Sequence, residues 1–130
     1  MTTLTSTNTT PAENALKLAE ARETGVILEL INIEKSFGQT RVLEGLNLTV
    51  HQGEFITLLG PSGCGKTTTL RIIAGLETPN SGEVLIKGKD VTAEEPNKRP
   101  VNTVFQNYAL FPHMNVETNI GYSLRLRRTD

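Results

Sequence analysis

Apolar positions recur along this chain with two spacings, and the changes between them mark its elements. Over 26–33 and 41–50 apolar and polar residues alternate, with Val42, Leu46, Leu48 and Val50 carrying the second run. A period of two turns one side of each segment inward, so both read as half-buried antiparallel strands. Phe37-Gly38-Gln39-Thr40 is the turn between them, and His51-Gln52-Gly53-Glu54 is a second turn. Phe55-Ile56-Thr57-Leu58-Leu59 is nearly continuously apolar, the pattern of a strand buried on both faces. The period then lengthens. Leu70, Ile73 and Ala74 share one face of a helix that begins near Lys66, and Gly75 lies near its end.

Pro79-Asn80-Ser81-Gly82 leads into a strand over 83–86, and Lys87-Gly88-Lys89-Asp90 is another polar turn. A charged loop with two prolines fills 93–100, a strand candidate covers 101–105, and 115–126 begins a further helix. At the front, residues 2–10 hold six threonines and one apolar residue, Leu4. That is too little apolar surface to offset ordering, so a mobile tail is expected there. Thr10-Pro11 reads as an N-cap with proline in the first turn, opening a short surface helix that Thr24-Gly25 ends. Residues 1–25 are therefore expected as tail and helix, and 26–130 as the domain.

Composition narrows the class. With 37% hydrophobic and 21% charged residues over 130 positions, the chain fits one ordinary globular domain. A net charge of −1 leaves no electrostatic footprint for nucleic acid. Cys64 is the single cysteine, so no disulfide forms within the chain and a reducing compartment is expected. No apolar run reaches the roughly 18 residues a membrane span needs. The Thr-rich start lacks the basic and apolar regions of a signal peptide. Work at a membrane would require recruitment by a partner.

The chemistry is concentrated in Gly60-Pro61-Ser62-Gly63-Cys64-Gly65-Lys66-Thr67, which matches G-x-x-x-x-G-K-[ST]. Its setting between an expected strand and an expected helix is the one this motif requires. Glycines let the backbone curl so that successive N–H groups face phosphate oxygens, and the helix N-terminus adds its positive end. Lys66 is expected to reach the terminal phosphates of a nucleotide, and the Thr67 hydroxyl to ligate Mg²⁺. Cys64 has two readings: a small residue whose N–H contributes to the cradle, or a thiol activated beside Lys66.

Two wider stretches place the loop. Leu58 to Thr68, together with Ile73-Ala74-Gly75-Leu76-Glu77-Thr78-Pro79 and Ser81-Gly82, resembles the ATP-binding subunits of ABC importers. Val104-Phe105-Gln106-Asn107-Tyr108-Ala109-Leu110-Phe111-Pro112-His113-Met114 is similar to the Q-loop region of that family. Arg99 with Val101-Asn102-Thr103-Val104-Phe105-Gln106 is similar to its polyamine-importing branch; importers of sugar or iron are the runner-up, and a nucleotide-binding module without turnover is the alternative.

The resemblance implies an α/β fold: the N-terminal part of a P-loop NTPase core of ABC type. It would comprise an antiparallel β subdomain plus a strand–P-loop–helix unit, truncated at the start of the helical subdomain. It also implies that Phe37 stacks on adenine, that Thr68 joins the phosphate cradle, and that Gln106 contacts Mg²⁺ and the attacking water. ATP and Mg²⁺ would be the cofactors. Gln106 through Met114 would receive integral-membrane permease subunits, a second ATP-binding subunit would complete a dimer, and the protein would sit peripherally on the cytoplasmic face of the membrane. Leu110, Phe111 and Met114 fit either a partner site or a core. His113 reads as structural or part of that contact, and His51 as a turn residue.

The resemblance also shows what is absent. Hydrolysis in this family uses an Asp ending an apolar strand and the Glu after it, yet the only aspartates are Asp90 and Asp130. The Leu-Ser-Gly-Gly-Gln signature and the switch histidine are missing too. A fragment is expected, one that holds ATP without the parent's turnover and whose apolar strand at 55–59 lacks its neighbours.

Overall fold

The computed structural model describes residues 10–61 and 63–127, with the side chain of Ala21 excepted. Residues 2–9 of the tail expected over 2–10, the loop residue Ser62 and the last residue, Asp130, lie outside it. Helix α1 (Pro11–Thr24) has the ends its sequence dictates. The Thr10 hydroxyl accepts from the Glu13 N–H while the Glu13 carboxylate accepts from the Thr10 N–H, and Gly25 closes the helix at φ 69°. These satisfy donors and acceptors that a helix leaves open at its ends.

Strands β1 (Val26–Phe37) and β2 (Thr40–His51) form an antiparallel hairpin about Gly38, which has φ 60°. Both are longer than the alternating runs that announced them. Their pairing is interrupted by register shifts, where Asn32 (φ 50°) and Gly45 (φ 69°) take left-handed backbone. These irregularities explain why Leu43, outside the expected inward set, is buried. Strand β3 (Ser81–Ile86) pairs antiparallel with β1, and β4 (Lys89–Asp90) closes the order β2-β1-β3-β4.

Helix α2 (Lys66–Ala74) seals the core, in which Ile72 packs with Leu30, Ile33, Leu43, Val84, Ile86 and Val91. Ile72 is fully buried, worth about 1.5–3 kcal/mol relative to leaving it in water. The inward face differs from the expected one. Thr69, Ile72 and Ala74 are buried, whereas Leu70 is 54% exposed and lines a cleft. Thr69 can point inward because its hydroxyl donates to the Gly65 carbonyl at 2.8 Å.

Two expected strands are absent from the sheet. Residues 55–59 run without a ladder partner, leaving Phe55 94% and Leu59 88% exposed. Residues 101–105 are also unpaired, with Val104 90% exposed. The reason is physical: a strand apolar on both faces requires neighbours, and the β2-β1-β3-β4 sheet supplies none to either segment. Beyond a 3-10 turn at Pro96–Lys98, helix α3 (Val116–Arg127) forms where the sequence places it. The Asn115 side chain accepts from the Thr118 N–H at 2.8 Å and so caps the helix start.

Candidate nucleotide site

The loop ahead of α2 depends on its glycines. Gly63 and Gly65 have φ 83° and 93°, and the Cys64 N–H closes a turn on the Pro61 carbonyl at 3.3 Å. At Gly65 a Cβ would stand 2.6 Å from Leu43 Cδ2 and 3.1 Å from the Val42 carbonyl oxygen, so the loop is seated directly on β2. Cys64 is exposed and its Sγ lies against Gly60, where a Cβ would meet it at 2.6 Å. That contact fits the small-residue reading of Cys64.

Gly65 caps α2 without a side chain, and the first turn contains no acid. The first intrahelical bond runs from the Thr69 N–H to the Gly65 carbonyl at 2.8 Å, so the amides of Lys66, Thr67 and Thr68 precede it. Uncapped amides at a helix N-terminus make an anion site. Lys66 Nζ folds back to donate to the Gly60 carbonyl, holding its charge over the loop.

A cleft of about 720 Å³ joins this helix to the later segment; Thr67, Leu70 and Arg71 line one side, Phe105, Gln106 and Asn107 the other. Thr67 and Gln106, expected to share a metal, therefore face the same space. Phe37 and the described loop residues Gly60, Pro61, Gly63, Cys64, Gly65 and Lys66 do not line that cleft. The Phe37 ring is 48% exposed, with Lys35 Nζ 4.9 Å above its centroid. Lys35 also pairs with Glu77 at 2.6 Å and donates to the Thr78 carbonyl at 2.7 Å. The chain after Gln106 is tight: Tyr108 and Ala109 both have positive φ, 62° and 50°, a costly pair for non-glycine residues.

Three structural residues escaped the sequence. Arg99 is buried, and its guanidinium donates to the carbonyls of Ile72, Ile73, Thr92 and Glu94. Burial pulls its pKa down, opposed by Glu94 and Asp90. Asn119 binds the Phe111 N–H and the carbonyls of Phe111, Met114 and Asn115, fixing the bend before α3. Lys35 is the third. A basic residue inside a proline-containing loop (Arg99) and an asparagine in a first helical turn (Asn119) were the available signals. Neither names the carbonyls it binds, which for Arg99 lie as far as 27 positions away.

Of the 106–114 segment, Tyr108 and Leu110 are 79% and 69% exposed, so these apolar groups face outward. Phe111 rests on Tyr122 and His113, with ring centroids 4.7 and 5.9 Å away. His51 pairs with Glu54 in its turn, and no group of three metal-ligating side chains occurs among the described residues.

The chain is 64% identical over 102 residues to the spermidine/putrescine import ATP-binding protein PotA of Spiroplasma citri, covering 78% of this chain and 29% of that one. The Lawsonia intracellularis protein of the same name is 57% identical over 104 residues, covering 80% and 28%. The chain thus spans less than a third of the length of these relatives. Among solved structures, a nucleotide-free ATP-binding cassette from an ABC transporter superposes with a TM-score of 0.53 at 37% identity, covering 55% of this chain and 28% of that one. The family described as ABC transporter matches residues 43–130, taking in the phosphate loop, α2, the Thr67–Gln106 cleft and α3. This chain belongs to the ABC transporter family.

Proposed function

We propose that the chain forms the phosphate-loop half of the ATP site in the energy-coupling subunit of an ABC importer. The observation that carries this is the uncapped N-terminus of α2, which opens behind Gly60, Gly63 and Gly65 with Lys66 at its first position. Backbone amides of the loop would hold the phosphates. Lys66 would leave the Gly60 carbonyl for the β- and γ-phosphate oxygens, and Ser62 and Thr68 would complete the cradle. Adenine would stack on Phe37. Residues 26–130 would make up this part of the domain, with 1–25 ahead of it.

Thr67 and Gln106 line the cleft together with Thr103 and Asn107, and their hydroxyl and amide oxygens are hard ligands of the kind Mg²⁺ prefers. Bound there beside a nucleotide, Mg²⁺ would neutralise phosphate charge. Gln106 would also orient the attacking water. The full-length subunit would hydrolyse ATP to ADP and phosphate. This chain lacks the acidic pair for that step, so its own residues bind and position.

The names of the relatives favour spermidine or putrescine as the transported solute. The exposed apolar residues from Gln106 to Met114 would dock on the permease, a second ATP-binding subunit would close on the nucleotide, and the assembly would lie on the cytoplasmic face of the membrane. Titration with a fluorescent ATP analogue and Mg²⁺ tests the site. Saturable binding that weakens at least tenfold in Lys66→Ala is expected, with no phosphate release above background. Unchanged affinity in Lys66→Ala, or turnover that this substitution abolishes, would sink the reading.

A further inference from the structure

A second cleft, of about 510 Å³, opens where α1 crosses the sheet, away from the described residues of the phosphate loop. Leu18 of α1, Val26 of β1 and Ile86 of β3 give it apolar walls. Its rim is cationic: Arg22 from the last turn of α1, Lys87 from the β3–β4 turn and Lys89 from β4. Among the described residues no acidic side chain lines it, although the chain carries 14 acidic residues against 13 Lys and Arg. Lys89 is held by Glu94. Among the described residues, the side chains of Arg22 and Lys87 have no ion-pair partner.

The wall formed by α1 is fixed. Gly88 meets it so closely that a Cβ would stand 2.6 Å from the Lys17 carbonyl oxygen, and Lys17 pairs with Glu83 at 3.2 Å. Lys87 has φ 51° and Gly88 φ 76°. These are the two central positions of a tight hairpin turn whose first place favours Asn, Asp or Gly. A lysine stands there against backbone preference, among the residues lining the cleft.

We propose that this cleft binds a small organic anion with an apolar body, of which a medium-chain carboxylate is the simplest example. The volume is that of a small-molecule site, the walls cover an alkyl chain, and two unpaired cations meet the carboxylate. The site stands independently of nucleotide binding.

Isothermal titration of the protein with decanoate tests it, with decanol as the uncharged control and butyrate as the short one. Saturable one-to-one binding is expected, at least tenfold tighter for decanoate than for either control. The double variant Arg22→Gln, Lys87→Asn should weaken decanoate at least tenfold. Asparagine suits the left-handed turn, so the hairpin is retained, and unchanged circular dichroism verifies this. Lys66→Ala should bind decanoate as the unsubstituted protein does. No saturable binding, equal affinity in the double variant, or loss of binding in Lys66→Ala would each overturn the proposal.

Discussion

Arg99 Nη1 donates to the Ile72 carbonyl at 2.8 Å, joining the loop after β4 to the last turn of the helix that begins at the phosphate loop. A second bond from the same nitrogen reaches Ile73 at 3.2 Å. The guanidinium also lies 2.7 Å from where a Cβ on Gly75 would stand, so glycine at that position leaves room for it. One side chain thus adds donors to the last carbonyls of α2, that of Ile72 already accepting from the Gly75 N–H at 3.2 Å, and places a positive charge at the negative end of the helix.

Replacing Arg99 should therefore loosen α2 and the phosphate loop with it. Arg99→Met strips the guanidinium bonds from the part-buried carbonyls of Ile73, Thr92 and Glu94, at about 1–3 kcal/mol for each group stranded, while the Ile72 carbonyl keeps the Gly75 N–H at 3.2 Å. Arg99→Lys should recover only part of the loss, because an ammonium cannot reproduce the planar fork. Thermal unfolding of the three proteins measures this: the order of stability should be Arg, then Lys, then Met. Equal midpoints would refute the capping role.

Gly65 and Gly63 make a matched pair. Both have left-handed backbone, but a Cβ at Gly65 collides with Leu43 and Val42, whereas at Gly63 it meets nothing within 4 Å. Gly63→Ala should cost only the backbone term, about 1–2 kcal/mol. Gly65→Ala adds overpacking of about 1–3 kcal/mol and should also lift the loop off β2. Unfolding and nucleotide titration together should show both variants weakened, with Gly65→Ala clearly the worse in each.

Local signals were legible and distant ones were not. Thr10, Pro11, Glu13 and Gly25 spell out both ends of α1 within sixteen residues of chain, and each does what its position implies. The phosphate loop is similarly local, since glycine spacing and the following helix are one continuous segment. The inward face of α2 depends on where the sheet lies, so Leu70 was read inward and the buried Thr69 was missed. The run at 55–59 was read correctly as apolar, but apolarity specifies a need for neighbours rather than their presence. Arg99 reaches carbonyls 26 and 27 positions earlier in the chain, a relation no spacing rule anticipates.

The Lys35–Glu77 pair gives stability an acid limb. The Lys35 hydrogen bond is the main cause holding the Glu77 carboxyl below its ordinary value of 4.5, against a smaller opposing effect of burial. A depressed acid contributes stability above its unfolded pKa and loses it as pH falls through the folded one. Stability should accordingly decline below about pH 4.5. Glu77→Gln should flatten that decline while leaving its slope near neutrality unchanged. Urea unfolding across pH 3–7 would show it, and an acid limb unaltered in Glu77→Gln would assign the decline to other carboxylates.

If adenine stacks on Phe37 as proposed, Lys35 constrains how the two can meet. Its ammonium lies 4.9 Å above one face of the ring, held there by Glu77 and the Thr78 carbonyl. A base stacking on Phe37 must therefore use the opposite face or displace a lysine that is already paired. The first is cheaper, because it breaks no ion pair. Phe37→Ala should then weaken ATP by about 1 kcal/mol, roughly fivefold, while leaving inorganic triphosphate unaffected. Phe37→Tyr should retain ATP affinity, since the ring face is preserved. Lys35→Met should leave ATP affinity unchanged if the open face is used, and raise it if the lysine must move aside. Titrating ATP and triphosphate against all three variants separates these outcomes, and equal losses for both ligands in Phe37→Ala would remove adenine stacking from the site.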